Sequence, residues 1–255
     1  HHRLYDFAKS ALIKIFVSPY ATVCDLYCGD IDKWEDAHIG HYIGIDREVW
    51  ESDLKPYTAE FCEFDPSVEN LELHLQDKDI VCCLQHVQVC FESEERARSL
   101  LQNVSALLRP GGYFFGITLD SSTIWTKYQK NVEASHNRNA VPNCIRSENY
   151  VITFEVEEEK FPLFGKKCQL KFSDDHCLVH FPSLIRLARE AGLEFVEIQN
   201  WTEFYDDNRA QLAGILHFVD PRGKLLIRAF DVLGLYSTFV FQKPDPDIAP
   251  PIFSP

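Results

Sequence analysis

The sequence predicts an α/β fold with a mostly parallel β-sheet at its centre. Short apolar runs alternate with amphipathic segments of helical spacing, and strands that alternate with helices form parallel sheets. The apolar run at 79–84 lacks polar alternation, which is typical of a strand buried on both faces. A PGG turn at 110–112 joins a helical segment to the next apolar run. Ligands of such sheets bind outside the carboxyl ends of the strands, so we expect the site there.

The individual elements follow from the same patterns. Residues 4–17 carry apolar side chains at helical spacing, and Ser18-Pro19 ends that helix. An alternating pattern predicts strands at 150–156 and 166–172, which form a β-hairpin inserted into the core. The other predicted strands are 23–26, 42–45, 60–64, 79–84, 113–118, 193–198 and, antiparallel and last in the sheet, 235–242. The other predicted helices are 47–59, 94–108, 120–128 and 183–191, with a further element beginning at 202–205 and a polar loop around 136–142.

One domain accounts for most of the chain. We expect it to cover 1–243, with the hairpin insertion at about 145–175 and a Pro-rich tail at 244–255. The hydrophobic fraction of 45% supports a large core, and no stretch approaches the roughly 18 apolar residues that a membrane helix needs. Nine cysteines without regular spacing argue against a secreted disulfide framework, so we expect a soluble protein of a reducing compartment.

The net charge limits the partners. A charge of -14 repels nucleic acid in bulk, which argues against a protein that tracks along DNA. Any nucleic-acid substrate must therefore be bound locally, at an end or at a single nucleotide.

The stretch from Val23 to Asp46 carries the main ligand-binding pattern. Gly29 follows the first predicted strand, and a glycine there lets the backbone approach a ligand closely. Asp46 ends the second strand, where a carboxylate can accept both hydroxyls of a ribose. The GxxG that would hold a pyrophosphate is missing, which favours a ligand with a ribose and no phosphates, such as S-adenosylmethionine. A plain strand-turn-strand remains the alternative.

Further strand ends support the same site. Asp65 follows the third predicted strand and would lie at the adenine edge if Asp46 holds the ribose, although a turn residue before proline is the common alternative. Leu84 and Gln85 follow the strand at 79–84. A metal site is not expected: no paired CxxC is present, and strand alternation points the nearby thiols to different faces. The residues considered for it are Cys82, Cys83, His86 and Cys90.

The ordered succession of motifs resembles the mRNA cap guanine-N7 methyltransferases, and within them the divergent second form found in plants. The motifs are DLYCG, YIGID, EFDPS, LRPGGYFFGIT, FPLFGKK, LVHFPSL, WTEFYDD and LYSTFVFQK, in register over nearly the whole chain. PGGYF occurs in many methyltransferases, whereas the later motifs together are far more specific. The resemblance implies a Rossmann-like class I fold dependent on S-adenosylmethionine. It also implies transfer of a methyl group to N7 of the 5'-terminal guanosine cap of mRNA.

The resemblance also implies roles for individual residues. Lys9 would contact the methionine moiety of the cofactor, Asp46 the ribose and Asp65 the adenine, while Leu84 and Gln85 close over the adenine ring. Tyr27 and Gly29 lie in the cofactor motif. On the cap side the corresponding positions are Asp6, Gln88, His176 and Tyr236.

Several positions depart from the family pattern. Where the family has DLGCGKGGD this chain has DLYCGD, so Tyr27 replaces the first glycine and the lysine that approaches the cap is missing. Gln88 and Val89 replace a His-Tyr pair. His176 replaces a glutamate that accepts from the guanine edge, and a neutral imidazole can accept one hydrogen bond only. Asp175 could substitute for that glutamate.

The implied reaction needs no general base, because guanine N7 already carries an exposed lone pair. We therefore expect no catalytic side chain and a mechanism of positioning. Two alternatives stay open: a cofactor-binding scaffold that regulates a partner without turnover, and a methyltransferase for another nucleotide or small molecule. The resemblance implies a nuclear location, which no basic run supports, and raises the question of an activating protein subunit.

Overall fold

A central sheet of seven strands forms the core of the fold. The computed structural model describes residues 2–29, 31–46, 57–71, 75–135, 143–155, 159–171, 176–212 and 218–248. The strands are β1 (Thr22–Leu26), β2 (His41–Asp46), β3 (Thr58–Glu63), β4 (Lys78–Cys83), β5 (Leu108–Leu119), β6 (Cys144–Arg146), β7 (Val151–Phe154), β8 (Lys167–Leu170), β9 (His176–Cys177), β10 (Glu194–Asn200) and β11 (Tyr236–Gln242). The central sheet has the order β3-β2-β1-β4-β5-β11-β10. β11 is antiparallel to both neighbours, which confirms the predicted antiparallel last strand.

Helices cover both faces of this sheet. They are α1 (His2–Phe16), α2 (Val87–Cys90), α3 (Glu94–Leu107), α4 (Ser121–Ser135), α5 (Phe181–Glu190), α6 (Trp201–Asn208) and α7 (Ile227–Leu233), with a 3₁₀ helix at Ile31–Trp34. Apolar side chains of α1, α6 and α7 belong to one core cluster, and those of α3 and α5 belong to another. The α/β prediction is confirmed, because a sheet with two apolar faces needs a helical layer on each.

The inserted segment is larger than the predicted hairpin. β7 and β8 confirm its two strands, but β6 and β9 flank them, so the element is a four-stranded antiparallel sheet in the order β6-β7-β8-β9. Alternate side chains of β7 and β8 are buried, among them Ile152, Phe154 and Leu170. The Tyr128 ring of α4 lies 4.8 Å from the Phe154 ring, so α4 packs on this small sheet.

Other boundaries differ from the prediction. The helix predicted at 47–59 is wrong at its end, because β3 begins at Thr58; residues 47–56 lie outside the described part. β5 begins at Leu108, since the PGG turn joins the ladder: Gly111 N donates to Lys243 O at 2.8 Å. α2, α7 and the 3₁₀ helix were not predicted. The loop predicted at 136–142 and residues 249–255 of the predicted tail also lie outside the described part.

Candidate active site

The first helix meets the carboxyl end of β4. The Tyr5 hydroxyl donates to the Leu84 carbonyl at 2.8 Å, and Lys9 Nζ donates to Gln85 Oε1 at 3.0 Å. Lys9 is only 4% exposed, and its ammonium lies 4.9 Å from the centre of the Tyr5 ring. A buried ammonium needs such partners because desolvation of an unpaired charge is costly. The structure therefore brings Lys9 together with Gln85 and places Leu84 against Tyr5 of the same helix, while the cofactor roles of these residues stay predictions.

Gln85 also reaches the glycine loop after β1. Its Nε2 donates to the Tyr27 carbonyl at 3.2 Å. A Cβ added to Gly29 would lie 2.6 Å from the same Nε2, closer than non-bonded atoms approach. Gly29 is therefore in close contact with Gln85, two residues after β4, so the loop after β1 lies beside the end of β4.

Tyr27 has an unusual backbone and a buried ring. Its φ is 55°, in the left-handed region that L side chains rarely adopt, and the residue is 5% exposed. Its hydroxyl donates to Asp65 Oδ1 at 3.1 Å and lies 3.3 Å from Cys90 Sγ. Burial raises the pKa of Tyr27 well above its usual range, so the phenol stays neutral and keeps its proton as a donor.

Asp65 lies in a network of donors directly after β3. Ser67 donates to Asp65 Oδ1 from its backbone N at 3.0 Å and from its Oγ at 2.7 Å. Arg96 Nη2 lies 3.5 Å from Asp65 Oδ2 and donates to Ser67 Oγ at 2.9 Å. The carboxylate is thus held by groups from the β1 loop, from its own turn and from α3.

Asp46 ends β2 beside the β1 loop. It is half-buried, and its register partner in β3 is Glu63. Cys28 N donates to Ile45 O at 3.2 Å, which extends the β1–β2 pairing into the glycine loop. Burial, followed by the neighbouring Asp25 and Asp46 carboxylates, raises the pKa of the Cys28 thiol to about 12. Asp46 therefore shares its surroundings with the loop that carries Gly29.

Asp25, in β1 just before the same loop, joins the elements around it, a role that the sequence did not reveal. Its Oδ2 accepts from the Tyr42 hydroxyl at 2.9 Å and from Trp34 Nε1 at 3.3 Å. Its Oδ1 accepts from Cys82 Sγ at 3.3 Å. The carboxylate is 2% exposed and ties β1, β2, β4 and the 3₁₀ helix together. The only sequence feature that indicates this role of Asp25 is its position near the end of a predicted strand.

Two of the predicted cap-side residues, Tyr236 and Asp6, lie beside or on α1. The Tyr236 ring, at the start of β11, is 5.0 Å from the Tyr5 ring, and its burial raises the pKa of its phenol. Tyr5 was not predicted as a site residue. The sequence feature that indicates it is its position four residues before Lys9, which puts both side chains on one face of the helix. Asp6 is exposed and pairs with Lys33 Nζ at 3.3 Å, on the side of the 3₁₀ helix.

The two remaining cap-side predictions stay predictions. Gln88 is buried in α2. His176 pairs with Cys168 across β9 and β8, while its side chain lies outside what is described, as does Asp175.

The thiols considered for a metal have other neighbours. Cys82 contacts Asp25 as above, Cys83 Sγ donates to Gln85 O at 3.1 Å, and Cys90 lies against the Tyr27 hydroxyl. All nine cysteines are free thiols. Within the described part of the chain, no group of three or more His, Cys, Asp or Glu side chains could hold a metal ion. None of the described helices is long and apolar enough to cross a bilayer.

Comparisons with known proteins identify the family. An mRNA cap guanine-N(7) methyltransferase 2 of Oryza sativa subsp. japonica is 68% identical, with 100% of this chain and 84% of the relative covered. A protein of the same description from Arabidopsis thaliana is 66% identical, with 100% and 80% covered. Both are second forms from plants, in agreement with the resemblance found in the motifs. The matched regions are 283 and 285 positions long against 255 residues here, so both relatives contain segments that this chain lacks.

The fold comparison agrees with this. The CcbJ methyltransferase of Streptomyces caelestis superposes with a TM-score of 0.50 at 13% identity, over 94% of this chain and 90% of that one, which speaks for the fold alone. The model of the mRNA (guanine-N(7))-methyltransferase domain matches residues 2–220. This chain belongs to that family.

Proposed function

We propose that this protein transfers a methyl group from S-adenosylmethionine to N7 of the 5'-terminal guanosine cap of mRNA. The observation that carries the proposal is the contact of Lys9 with Gln85 beside Gly29, at the sheet edge where Asp46 ends β2 and Asp65 follows β3 by two residues. Ligands of doubly wound sheets bind at this edge. Family membership indicates the reaction. The side chains that we propose bind the reactants lie at this edge of the sheet.

The residues at this edge fit the cofactor. Gly29 provides the close backbone approach, because a Cβ there would already meet Gln85 at 2.6 Å. We assign the ribose hydroxyls to Asp46 and the adenine amine to Asp65, since both carboxylates lie at ends of adjacent strands. Leu84, Gln85 and Tyr27 would border the base, and Lys9 would contact the methionine end.

The proposed reaction depends on the positioning of its two reactants. The bound cofactor supplies a methyl group activated by the sulfonium charge, and guanine N7 brings its own lone pair. Holding two reactants in line can lower the barrier by roughly 7 to 11 kcal/mol. The side chains of this protein would therefore bind, orient and exclude water, and none needs to take a proton.

The cap would lie beside Tyr5 and Tyr236. The two rings are 5.0 Å apart, and Lys9 Nζ lies 4.9 Å from the centre of the Tyr5 ring, so a guanine base held there would be close to the methionine end of the cofactor site. Asp6, Gln88 and His176 complete the proposed cap side. With a net charge of -14, the protein would bind the capped end and little of the RNA behind it.

Several further statements belong to the same proposal. A nuclear location follows from the production of capped mRNA in the nucleus. An activating protein subunit and the exclusion of DNA as a substrate are proposed with it. We also propose that residues 1–243 act as one domain.

A scaffold without turnover is the alternative that the test below excludes or supports. Radiolabelled methyl transfer from S-adenosylmethionine to GpppA-capped RNA, uncapped RNA and free GTP separates the candidates. Label in capped RNA alone supports the proposal. Binding of the cofactor without transfer to any acceptor would favour the scaffold, and label in another acceptor would favour a different methyltransferase.

A further inference from the structure

Tyr27 lies where the family motif has glycine, and its hydroxyl points at the carboxylate assigned to adenine. We propose that Tyr27 is a positioning residue for base recognition: its hydroxyl fixes the orientation in which Asp65 accepts the exocyclic amine of adenine. This inference rests on the proposed function, since it takes the cofactor site at the strand ends as given. It assigns to Tyr27 a role exerted through Asp65.

The first support is the backbone at Tyr27. A φ of 55° costs free energy in a non-glycine residue and persists where surrounding contacts enforce it. Glycine would adopt this conformation without strain, so a tyrosine here needs a compensating interaction. Its hydroxyl contacts Asp65 Oδ1 at 3.1 Å and Cys90 Sγ at 3.3 Å, and the Asp65 contact ties Tyr27 to the turn that follows β3.

The second support is the convergence of donors on one oxygen. The Tyr27 hydroxyl, the Ser67 backbone N and the Ser67 Oγ all donate to Asp65 Oδ1. Ser67 is itself buried and held by Arg96, whose Nε and Nη2 donate to its Oγ at 3.1 and 2.9 Å. These contacts set the rotation of the carboxylate before any ligand arrives, and preorganisation of this kind raises affinity.

The chemistry of the base provides a specific readout. Adenine presents an amine, a donor, to a carboxylate, whereas hypoxanthine presents a carbonyl oxygen at the same place. A carboxylate accepts and cannot donate, so the wrong base leaves both groups without a partner. Loss of the Tyr27 hydroxyl should therefore reduce the discrimination between the two bases.

The test compares S-adenosylhomocysteine with its hypoxanthine analogue, S-inosylhomocysteine, by calorimetric titration. In Tyr27→Phe the ring stays and the hydroxyl goes. We expect the affinity for S-adenosylhomocysteine to fall roughly 3- to 10-fold and the preference for adenine to fall by a similar factor. Cys90→Ala is the matched control, because Cys90 touches the same hydroxyl at 3.3 Å while the Tyr27–Asp65 contact remains; both affinities should stay as in wild type.

Asp65→Ala completes a double-mutant cycle. In that background Tyr27→Phe should change the affinity for S-adenosylhomocysteine by less than about twofold, since the acceptor is gone. Equal weakening of both ligands by Tyr27→Phe would mark a merely structural tyrosine and overturn the inference. A wild-type protein that binds both ligands equally would instead overturn the adenine assignment of the proposed function, and the inference with it.

Discussion

Lys9 Nζ donates a hydrogen bond to Gln85 Oε1 at 3.0 Å and so links the first helix to the end of a strand 76 residues away. The lysine is nearly fully buried, and a helix that only covered the sheet would not need an ammonium at this place. Gln85 in turn donates a hydrogen bond from its Nε2 to the Tyr27 carbonyl. α1 is therefore part of the proposed cofactor site as well as a cover for the core.

Lys9→Met should remove the ammonium and keep most of the apolar stem. A charge-assisted hydrogen bond contributes about 1.5 to 3 kcal/mol, so the Kd for S-adenosylhomocysteine should rise about 10- to 100-fold. Lys14→Met is the matched control, because Lys14 lies exposed on the same helix and should leave the Kd unchanged. A Lys9→Met protein with wild-type affinity would show that Lys9 is only a structural residue.

Gly29→Ala tests the close approach at the β1 loop. The added Cβ would meet the end of the Gln85 side chain, which can turn away, so we expect the protein to fold with a Tm within a few degrees of wild type. A cofactor that approaches the backbone would still be displaced, and affinity should fall at least about tenfold. The Gly29→Ala, Gln85→Ala double variant removes the Gln85 contact. If the double variant binds S-adenosylhomocysteine as tightly as Gln85→Ala alone, then Gln85, and not a ligand, requires the glycine.

Asp25→Ala should destabilise the fold. It leaves the buried Tyr42 hydroxyl and Trp34 Nε1 without their acceptor, and each unsatisfied group costs about 1 to 3 kcal/mol. Urea denaturation should show a loss of about 2 to 5 kcal/mol, with a smaller loss for Asp25→Asn, which keeps one carbonyl oxygen. Glu203→Ala, at an exposed position of α6, should be near neutral. An unchanged free energy of unfolding in Asp25→Ala would exclude this structural role of Asp25.

His180 gives α5 a pH-dependent cap. Its Nδ1 accepts from Ser183 N at 3.3 Å, which requires a neutral ring, and partial burial lowers the pKa of His180. The unfolded chain therefore binds a proton more readily, with an ordinary histidine pKa of about 6.5. This contribution to stability is full above about pH 6.5 and is lost as the pH falls toward the lowered folded value.

The measurement compares His180→Asn with wild type, because asparagine caps helices and does not titrate. Between about pH 7.5 and 5.5 the Tm of wild type should fall more than that of the variant. The same loss of Tm in both proteins would place the acid sensitivity elsewhere. Glu94 and Glu190 each accept hydrogen bonds from Arg186 and Arg98, which lower the pKa values of both carboxylates. They therefore affect the pH dependence of stability only at lower pH.

The sequence indicated the candidate-site residues that lie at strand ends. Asp46 and Asp65 each follow an apolar run, and the parallel order of the runs places their ends at one edge. The contacts of Asp25 with Cys82 and of Tyr5 with Leu84 could not be predicted in the same way, because these partners lie 57 and 79 residues away along the chain. Such pairings depend on the packing of α1 and β4 and leave no periodic signal.

The elements that were missed share weak local patterns. β6 and β9 have three and two residues, too few for strand alternation to be recognised. α7 carries apolar residues on its solvent side, with Ile227 88% and Phe230 54% exposed, so it shows no single apolar stripe. Strand alternation identified the two central strands of the inserted segment, β7 and β8, and not the short strands that flank them.

Calorimetric titration with S-adenosylhomocysteine, in wild type and in Asp46→Ala, tests the central claim most directly. If the ends of β1, β2 and β4 form the cofactor site, wild type binds one equivalent, and Asp46→Ala weakens binding at least about tenfold through the loss of two ribose hydrogen bonds. Equal affinity in the two proteins, with Asp46→Ala folded as judged by its melting curve, would contradict the assignment and the methyl-donor site built on it.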